Sequence, residues 1–273
     1  MKRILLLGIV LLAAYGFSKK ELKWVAIGDS ITYLNDHLNE TGNRVTKGYM
    51  SRVTGTLPFV HYINKGYNGW TAGRIAENFD SLYVPRADVY TVFLGTNDWW
   101  QGRPIGTLKD YETNSGNQTV FGSFRIIIDK LRTTSRKARI ILITPMKRAD
   151  FVYLFDQRNH AWGSYKARKG QTLARVAAAV VAVGRAGHTE VIDLYNDREL
   201  AEKDLVHFKR LKNPHTGAYQ DYTYPGFQQI PFNPETDAYP YPAAAVDLTY
   251  DGLHPSDKGC RIIADRIVTL LKK

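Results

Sequence analysis

Five short apolar runs, each followed by a stretch of helical character, limit what this chain can fold into. The runs fall at 24–27, 59–64, 88–94, 138–144 and 189–194. Strands covered on both faces read as near-continuous apolar stretches of this kind. Between and after them lie helix signals: 49–57, stopped by Pro58; 72–82, with Thr71 placed to cap it; 120–135; an alanine- and valine-rich stretch at 165–187; a short segment at 196–204; and 256–271, with Ser256 as its cap. Strand and helix alternating in this way predict a parallel sheet with helices on both faces, a three-layer α/β/α domain.

The chain has 273 residues, 44% of them hydrophobic, enough for one large core. Its first segment reads separately. Lys2 and Arg3 precede an apolar run at 4–14 that is too short to span a bilayer, and small residues follow at Ala13, Ala14, Gly16 and Ser18. This predicts a signal peptide over 1–18, export to the periplasm or beyond, no membrane span after cleavage, and one domain over 19–273. An uncleaved N-terminal anchor is the competing reading. The sole cysteine, Cys260, falls in the last helix pattern, so the exported fold stands without an internal disulfide. The formal net charge is +11, and removing Lys2 and Arg3 leaves +9. The basic residues are scattered rather than blocked, which favours general solvation over nucleic-acid binding; attraction to an acidic polysaccharide fits the same charge.

Chemistry-bearing residues gather at the strand ends. Gly28-Asp29-Ser30 follows the first apolar run, Gly66 to Gly69 the second, and Gly95-Thr96-Asn97-Asp98 the third. In a parallel sheet these ends share one edge, where ligands of such sheets bind. Asp251-Gly252-Leu253-His254 arrives just before the last helix and can reach the same edge. Two residues separate this aspartate from the histidine. In a tight loop Asp251 can accept from one ring nitrogen while the other faces Ser30, fixing the tautomer and steadying the imidazolium. The N–H groups of Ser30 and Gly69, with the Asn97 amide, can form an oxyanion hole. Each residue also has a plainer role open to it: Asn97 can close a turn, Asp98 can brace one, and His254 before Pro255 can start a helix.

As they stand, these four blocks resemble those of the SGNH hydrolases, the GDSL-like esterases. Gly28-Asp29-Ser30 matches the first, without the leucine of the name. Asn64-Lys65-Gly66-Tyr67-Asn68-Gly69 matches the second, with Gly69 preferred over Gly66 as its glycine. Gly95-Thr96-Asn97-Asp98 matches the third and Asp251-Gly252-Leu253-His254 the fourth, all in family order from Trp24 onward. The resemblance implies a flavodoxin-like sheet of about five parallel strands. It also implies ester hydrolysis through an acyl-enzyme on Ser30, with no metal or cofactor.

For substrate, Trp70, Trp99, Trp100, Asp29 and the tyrosines Tyr222 and Tyr224 are candidate contacts, since flat aromatic faces stack on sugar rings. The long Tyr/Pro-rich segment 206–245 is expected to form a wall of the cleft. The polar stretch 33–47 is a second loop placed to line it. Together these features point to an exported esterase removing acetyl or other small acyl groups from carbohydrate. A lipase or lysophospholipase, a non-catalytic glycan-binding protein on the same scaffold, and a flavodoxin-like nucleotide binder are the alternatives.

Overall fold

The computed structural model describes residues 20–273, so the leader read over 1–18 lies outside them. In chain order the elements begin with β1 (Leu22–Gly28), α1 (Ser30–Tyr33), α2 (Tyr49–Thr56), β2 (Val60–Gly66), α3 (Ala72–Asn78), β3 (Val89–Phe93), α4 (Thr96–Gln101), α5 (Leu108–Glu112), α6 (Val120–Thr134) and β4 (Arg139–Ile143). They continue with β5 (Phe151–Tyr153), β6 (Asp156–Ala161), α7 (Leu173–Ala186), β7 (Glu190–Ile192), β8 (Lys209–Lys212), β9 (Tyr219–Tyr222) and α8 (Asp257–Leu271).

β2, β1, β3, β4 and β7 lie side by side in that order, all parallel. Numbered among themselves, the five strands run 2-1-3-4-5, the order of flavodoxin-like sheets, with the reversal of winding between β1 and β3. Gly28 pairs with Gly66 on one side and Phe93 on the other. The three strands therefore end level, and whatever follows them emerges on one edge.

The period of two along each strand builds two cores. Trp24, Ala26, Val89, Phe93, Ile141 and Ile143 face the α2–α8 layer, among Met50, Val53, Ile263 and Ile267. Val25, Ile27, Tyr90, Val92, Ile140 and Leu142 face the α3–α6–α7 layer, among Ile75, Phe124, Ile128 and Val180. Burying both faces is why these strands read as unbroken apolar runs.

The helix caps fall where the sequence placed them for α3, where the Thr71 hydroxyl accepts from Arg74 N–H, and for α8, where Ser256 accepts from Lys258 and Gly259. The long helix expected over 165–187 is shorter. Lys169 (φ 47°) and Gly170 (φ 74°) take the left-handed conformation, which a helix cannot pass through, and α7 starts afresh after its own cap, Thr172. The 196–204 segment resolves into two 3₁₀ turns, Arg198–Leu200 and Glu202–Asp204. Two antiparallel hairpins, β5–β6 and β8–β9, were not legible as strands.

The segment 206–245 carries β8–β9 and turns back onto the core. Leu211, Phe227 and Tyr241 are buried in the α2–α8 layer, with Tyr222, Tyr224, Phe232 and Tyr239 packed against it. Val206 bridges Val246, and Thr249 N–H donates to the Leu205 carbonyl. The segment is thus fastened at both ends to the strand-like stretch that leads into Asp251.

Candidate active site

Ser30 opens α1, directly after β1. Asp29 caps that helix: its Oδ1 accepts from Ile31 N–H at 3.0 Å. Complete burial pushes the Asp29 carboxyl up to about 6 against the opposing pull of that hydrogen bond and of His254. The cap fixes the backbone of Ser30 while its side chain, half-buried, faces outward.

His254 sits in the turn before α8. Its Nε2 lies 2.8 Å from Ser30 Oγ, and its Nδ1 lies 2.7 Å from Asp251 Oδ2. The carboxylate fixes Nδ1 as the protonated nitrogen, so Nε2 accepts from the serine hydroxyl. Asp251 is held in turn by N–H donations to its Oδ1 from Leu253 (3.0 Å) and His254 (2.7 Å). Gly252 makes this turn possible: its φ is 87°, and a Cβ there would lie 2.5 Å from the Asp150 carbonyl oxygen. Two rings hold the imidazole, Phe151 edge-on with centroids 5.4 Å apart and Tyr250 stacked at 5.9 Å. Ser30, His254 and Asp251 thus form one hydrogen-bonded chain spanning most of the sequence.

Gly69 and Asn97 meet at the same edge. Gly69 has φ 72°, and its N–H and that of Ser30 have no partner among the described residues. Gly66 is otherwise engaged: its N–H donates to Asn64 Oδ1 at 2.8 Å, and a Cβ on it would lie 2.2 Å from Tyr33 N. The Asn97 amide donates one hydrogen to the Trp70 carbonyl (3.1 Å), and Gln101 Nε2 donates to the Gly69 carbonyl (2.8 Å). Asp98 completes the brace. Buried beneath α3, it accepts from Ala72 N–H through both oxygens (3.1 and 2.9 Å), and burial pushes its carboxyl up to about 6.

These residues border a cavity of about 430 Å³ lined by Ser30, Gly69, Asn97 and His254. Leu34 and Glu40 from the 33–47 stretch also line it, as do Asn68, Gln101, Tyr250 and Leu253. The far wall is the β5–β6 hairpin and the strand-end before it, through Arg148, Phe151, Tyr153, Asn159 and Ala161. No residue of 206–245 lines the cavity.

Of the candidate substrate contacts, only Trp100 reaches it. Trp99 is fully buried and donates its indole N–H to the Gln171 carbonyl (3.0 Å). Trp70 stacks on Tyr67 at 4.5 Å beneath the Arg74 guanidinium, outside the lining. Asp29 is occupied as a cap, and Tyr222 and Tyr224 pack on the core from the 206–245 segment. The hairpin residues carried one signal in the sequence, an aromatic cluster at Phe151, Tyr153 and Phe155, but no turn motif marked the reversal. Among the described residues, no group of three or more His, Cys, Asp or Glu side chains is placed to hold a metal ion.

A five-stranded flavodoxin-like sheet bearing a serine after β1 and an Asp-x-x-His turn before the last helix is the arrangement of the SGNH-type esterase/lipase class. The model of the GDSL-like lipase/acylhydrolase family matches residues 26–262, and the chain belongs to that family. Among solved structures, a possible lipase from Chitinophaga pinensis DSM 2588 is 60% identical, with TM-score 0.91 over 92% of this chain and 98% of that one. An acetyl xylan esterase, AlAXEase, shares the fold at 17% identity and TM-score 0.56, covering 92% of this chain and all (100%) of the other. Axe2, an acetylxylan esterase from Geobacillus stearothermophilus, does so at 17% identity and TM-score 0.52, over 92% and 94% of the two chains. A comparison with curated proteins found no match.

Proposed function

We propose that this chain is an exported serine esterase that removes small acyl groups, acetyl foremost, from carbohydrate. The observation that carries the catalytic part is the chain of hydrogen bonds from Ser30 Oγ through His254 to Asp251.

In this reading Ser30 Oγ attacks the ester carbonyl while His254 Nε2 takes its proton. Asp251 stabilises the resulting imidazolium. The negative charge that develops on the carbonyl oxygen is met by the N–H groups of Ser30 and Gly69 and the second amide hydrogen of Asn97. Each such donor is worth about 2.7–4 kcal/mol in the transition state. Collapse expels the alcohol, which leaves with the proton from His254, and the acyl group stays on Ser30. Water then attacks the acyl carbon as His254 takes its proton; the bond to Ser30 Oγ breaks, His254 returns the proton to that oxygen, and the acid leaves.

The carbohydrate part rests on the cavity, where amides and an indole stand side by side: Asn68, Gln101 and Asn159 with Trp100. Amides pair with hydroxyls, and the indole offers a face for a sugar ring. Solved acetylxylan esterases share this fold, which fits the reading. The 60% identical relative described as a possible lipase supports a second one, a lipase-type esterase with a longer acyl chain. Residues 1–18 act as a cleaved leader and 19–273 as one catalytic unit; the basic pair and apolar run at the start support this.

A fluorophosphonate probe tests the catalytic reading directly. Wild-type protein should be labelled, and Ser30→Ala should lose all labelling while keeping its folded circular dichroism spectrum. Equal labelling of the variant would remove Ser30 from the role of nucleophile.

A further inference from the structure

Arg148 is a charged lining residue to which hydrolysis of a neutral acetate ester gives no role. It follows β4 and is 1% exposed, yet it borders the cavity that holds Ser30 and His254. Its guanidinium makes no hydrogen bond to any described residue, and two of its nitrogens, Nε and Nη2, are fully enclosed without a partner. Aromatic rings surround it instead: Cζ lies 5.4 Å from the Trp99 ring, 5.7 Å from Trp100 and 5.6 Å from Phe151. Phe151 is also the ring set against His254.

Burying a cation without hydrogen bonds is costly, and native structures keep such groups satisfied by protein, water or ligand. Burial pulls the guanidinium down only to about 10, because Asp251 and Asp150 favour its charge, so it remains a cation at neutral pH. Neither aspartate is its partner. Asp251 is committed to His254, and Asp150 is taken by Lys209 Nζ (3.0 Å), Tyr165 (2.6 Å) and Gly163 N–H (2.8 Å). No described group neutralises the guanidinium through a hydrogen bond, and Nη1, the nitrogen that is not enclosed, is where an anion in the cavity can reach it. A carboxylate can meet that nitrogen through one charge-assisted N–H donation, within an otherwise apolar frame.

We infer that Arg148 seats a carboxylate carried by the substrate, so that the preferred ester is acidic. This rests on the esterase reading of the same cavity. The net charge, +11 for the full chain and +9 without Lys2 and Arg3, favours encounter with an acidic polymer. A second cation stands behind the same wall: Arg168 lies 4.7 Å from the Trp100 ring and donates to the Trp100 carbonyl. Glu40 also lines the cavity and accepts from the Tyr33 hydroxyl (2.9 Å); its charge repels an acidic group, which leaves Arg148 as the place for one.

The carboxylate can belong to the sugar or to the acyl group, and two substrate pairs separate these sources. Acetylated methyl glucuronoside is compared with acetylated methyl glucoside, and 4-nitrophenyl hemisuccinate with 4-nitrophenyl butyrate. In one pair the acidic ester should be favoured in kcat/KM by about tenfold or more, the scale of one hydrogen bond to a charged group. That preference should disappear in Arg148→Met and return in part in Arg148→Lys. Calorimetry on the wild-type protein with unacetylated methyl glucuronoside, methyl glucoside, succinate and butyrate reads the same site without catalysis or a variant. The acidic member of at least one pair should bind the more tightly. Absence of hydrolysis together with selective carboxylate binding would sink the esterase reading and keep this one. Equal binding and equal turnover of acidic and neutral members in both pairs would overturn it.

Discussion

Asn97 has two amide hydrogens and spends one on the Trp70 carbonyl, so its orientation is fixed from one side while the other hydrogen is left for the cavity. Replacing it by alanine should lower kcat about 10²–10³-fold with KM little changed, because the interaction strengthens only as charge develops. Steady-state kinetics on 4-nitrophenyl acetate checks this; a variant with normal kcat and a lowered Tm would show that Asn97 only closes its turn. Asp29 makes a different prediction. Burial pushes its carboxyl up to about 6 in the folded chain from the ordinary 3.8, so the folded state holds the proton more tightly. Between about pH 4 and 6 the unfolded chain therefore ionises first, and this group's contribution to stability falls as pH rises, by on the order of 3 kcal/mol across that window. Asp29→Asn keeps the capping oxygen and removes the titration. Urea unfolding at pH 4 and pH 7 should show the variant gaining on wild type as pH rises; a constant difference would refute the shift. Ser30, Asp251 and His254 were legible because each stands in a short motif beside a strand end or helix start, and chain order alone could bring them together. Arg148 was not. Nothing in Lys147-Arg148-Ala149 marks a cation that the fold will bury among rings contributed by α4 and the hairpin.

Among the elements, the five central strands were legible for a physical reason: both faces are buried, so each reads as an apolar run whatever its neighbours do. Their ends, read to within a residue or two, brought the serine, glycine and asparagine to one edge. The β5–β6 hairpin was not legible, since Asp156, Arg158 and Asn159 leave β6 polar and half in solvent. The 206–245 segment misled by composition. Its aromatics fit a sugar-binding wall, yet the same rings can bury themselves, and here they pack on the α2–α8 core behind the site. What it supplies to the site is support. Lys209, 1% exposed, pairs with Asp150 at 3.0 Å, and the Tyr241 hydroxyl donates to the Asp150 carbonyl. Ala149 N–H and Val152 N–H in turn donate to the Gly252 and Asp251 carbonyls. Removing one partner of such a buried pair leaves the other charge stranded, so Lys209→Ala should cost about 3–5 kcal/mol. Urea denaturation measures it, and a loss under 1 kcal/mol would mean that the pair behaves as if it were exposed.

For the molecule as a whole, the sheet edge, the 33–47 stretch and the hairpin enclose one cavity of about 430 Å³, and its size and lining decide which acyl chains fit. An acyl chain of sixteen carbons needs a continuous apolar groove leading away from the serine, because each methylene left in water forgoes about 0.8 kcal/mol of burial. The apolar lining here, Leu34, Trp100, Phe151, Tyr153 and Leu253, is interrupted by Asn68, Gln101, Arg148 and Asn159. Amide and guanidinium groups facing a long chain would lose water without gaining partners, and that desolvation opposes binding. An acetyl group meets neither problem, since it ends within contact of the residues around Ser30. We therefore expect kcat/KM to fall from 4-nitrophenyl acetate through butyrate to palmitate, measured in one detergent-containing buffer so that solubility does not set the order. Faster turnover of palmitate than acetate would favour the lipase reading and would require the hairpin wall to open when an apolar chain enters.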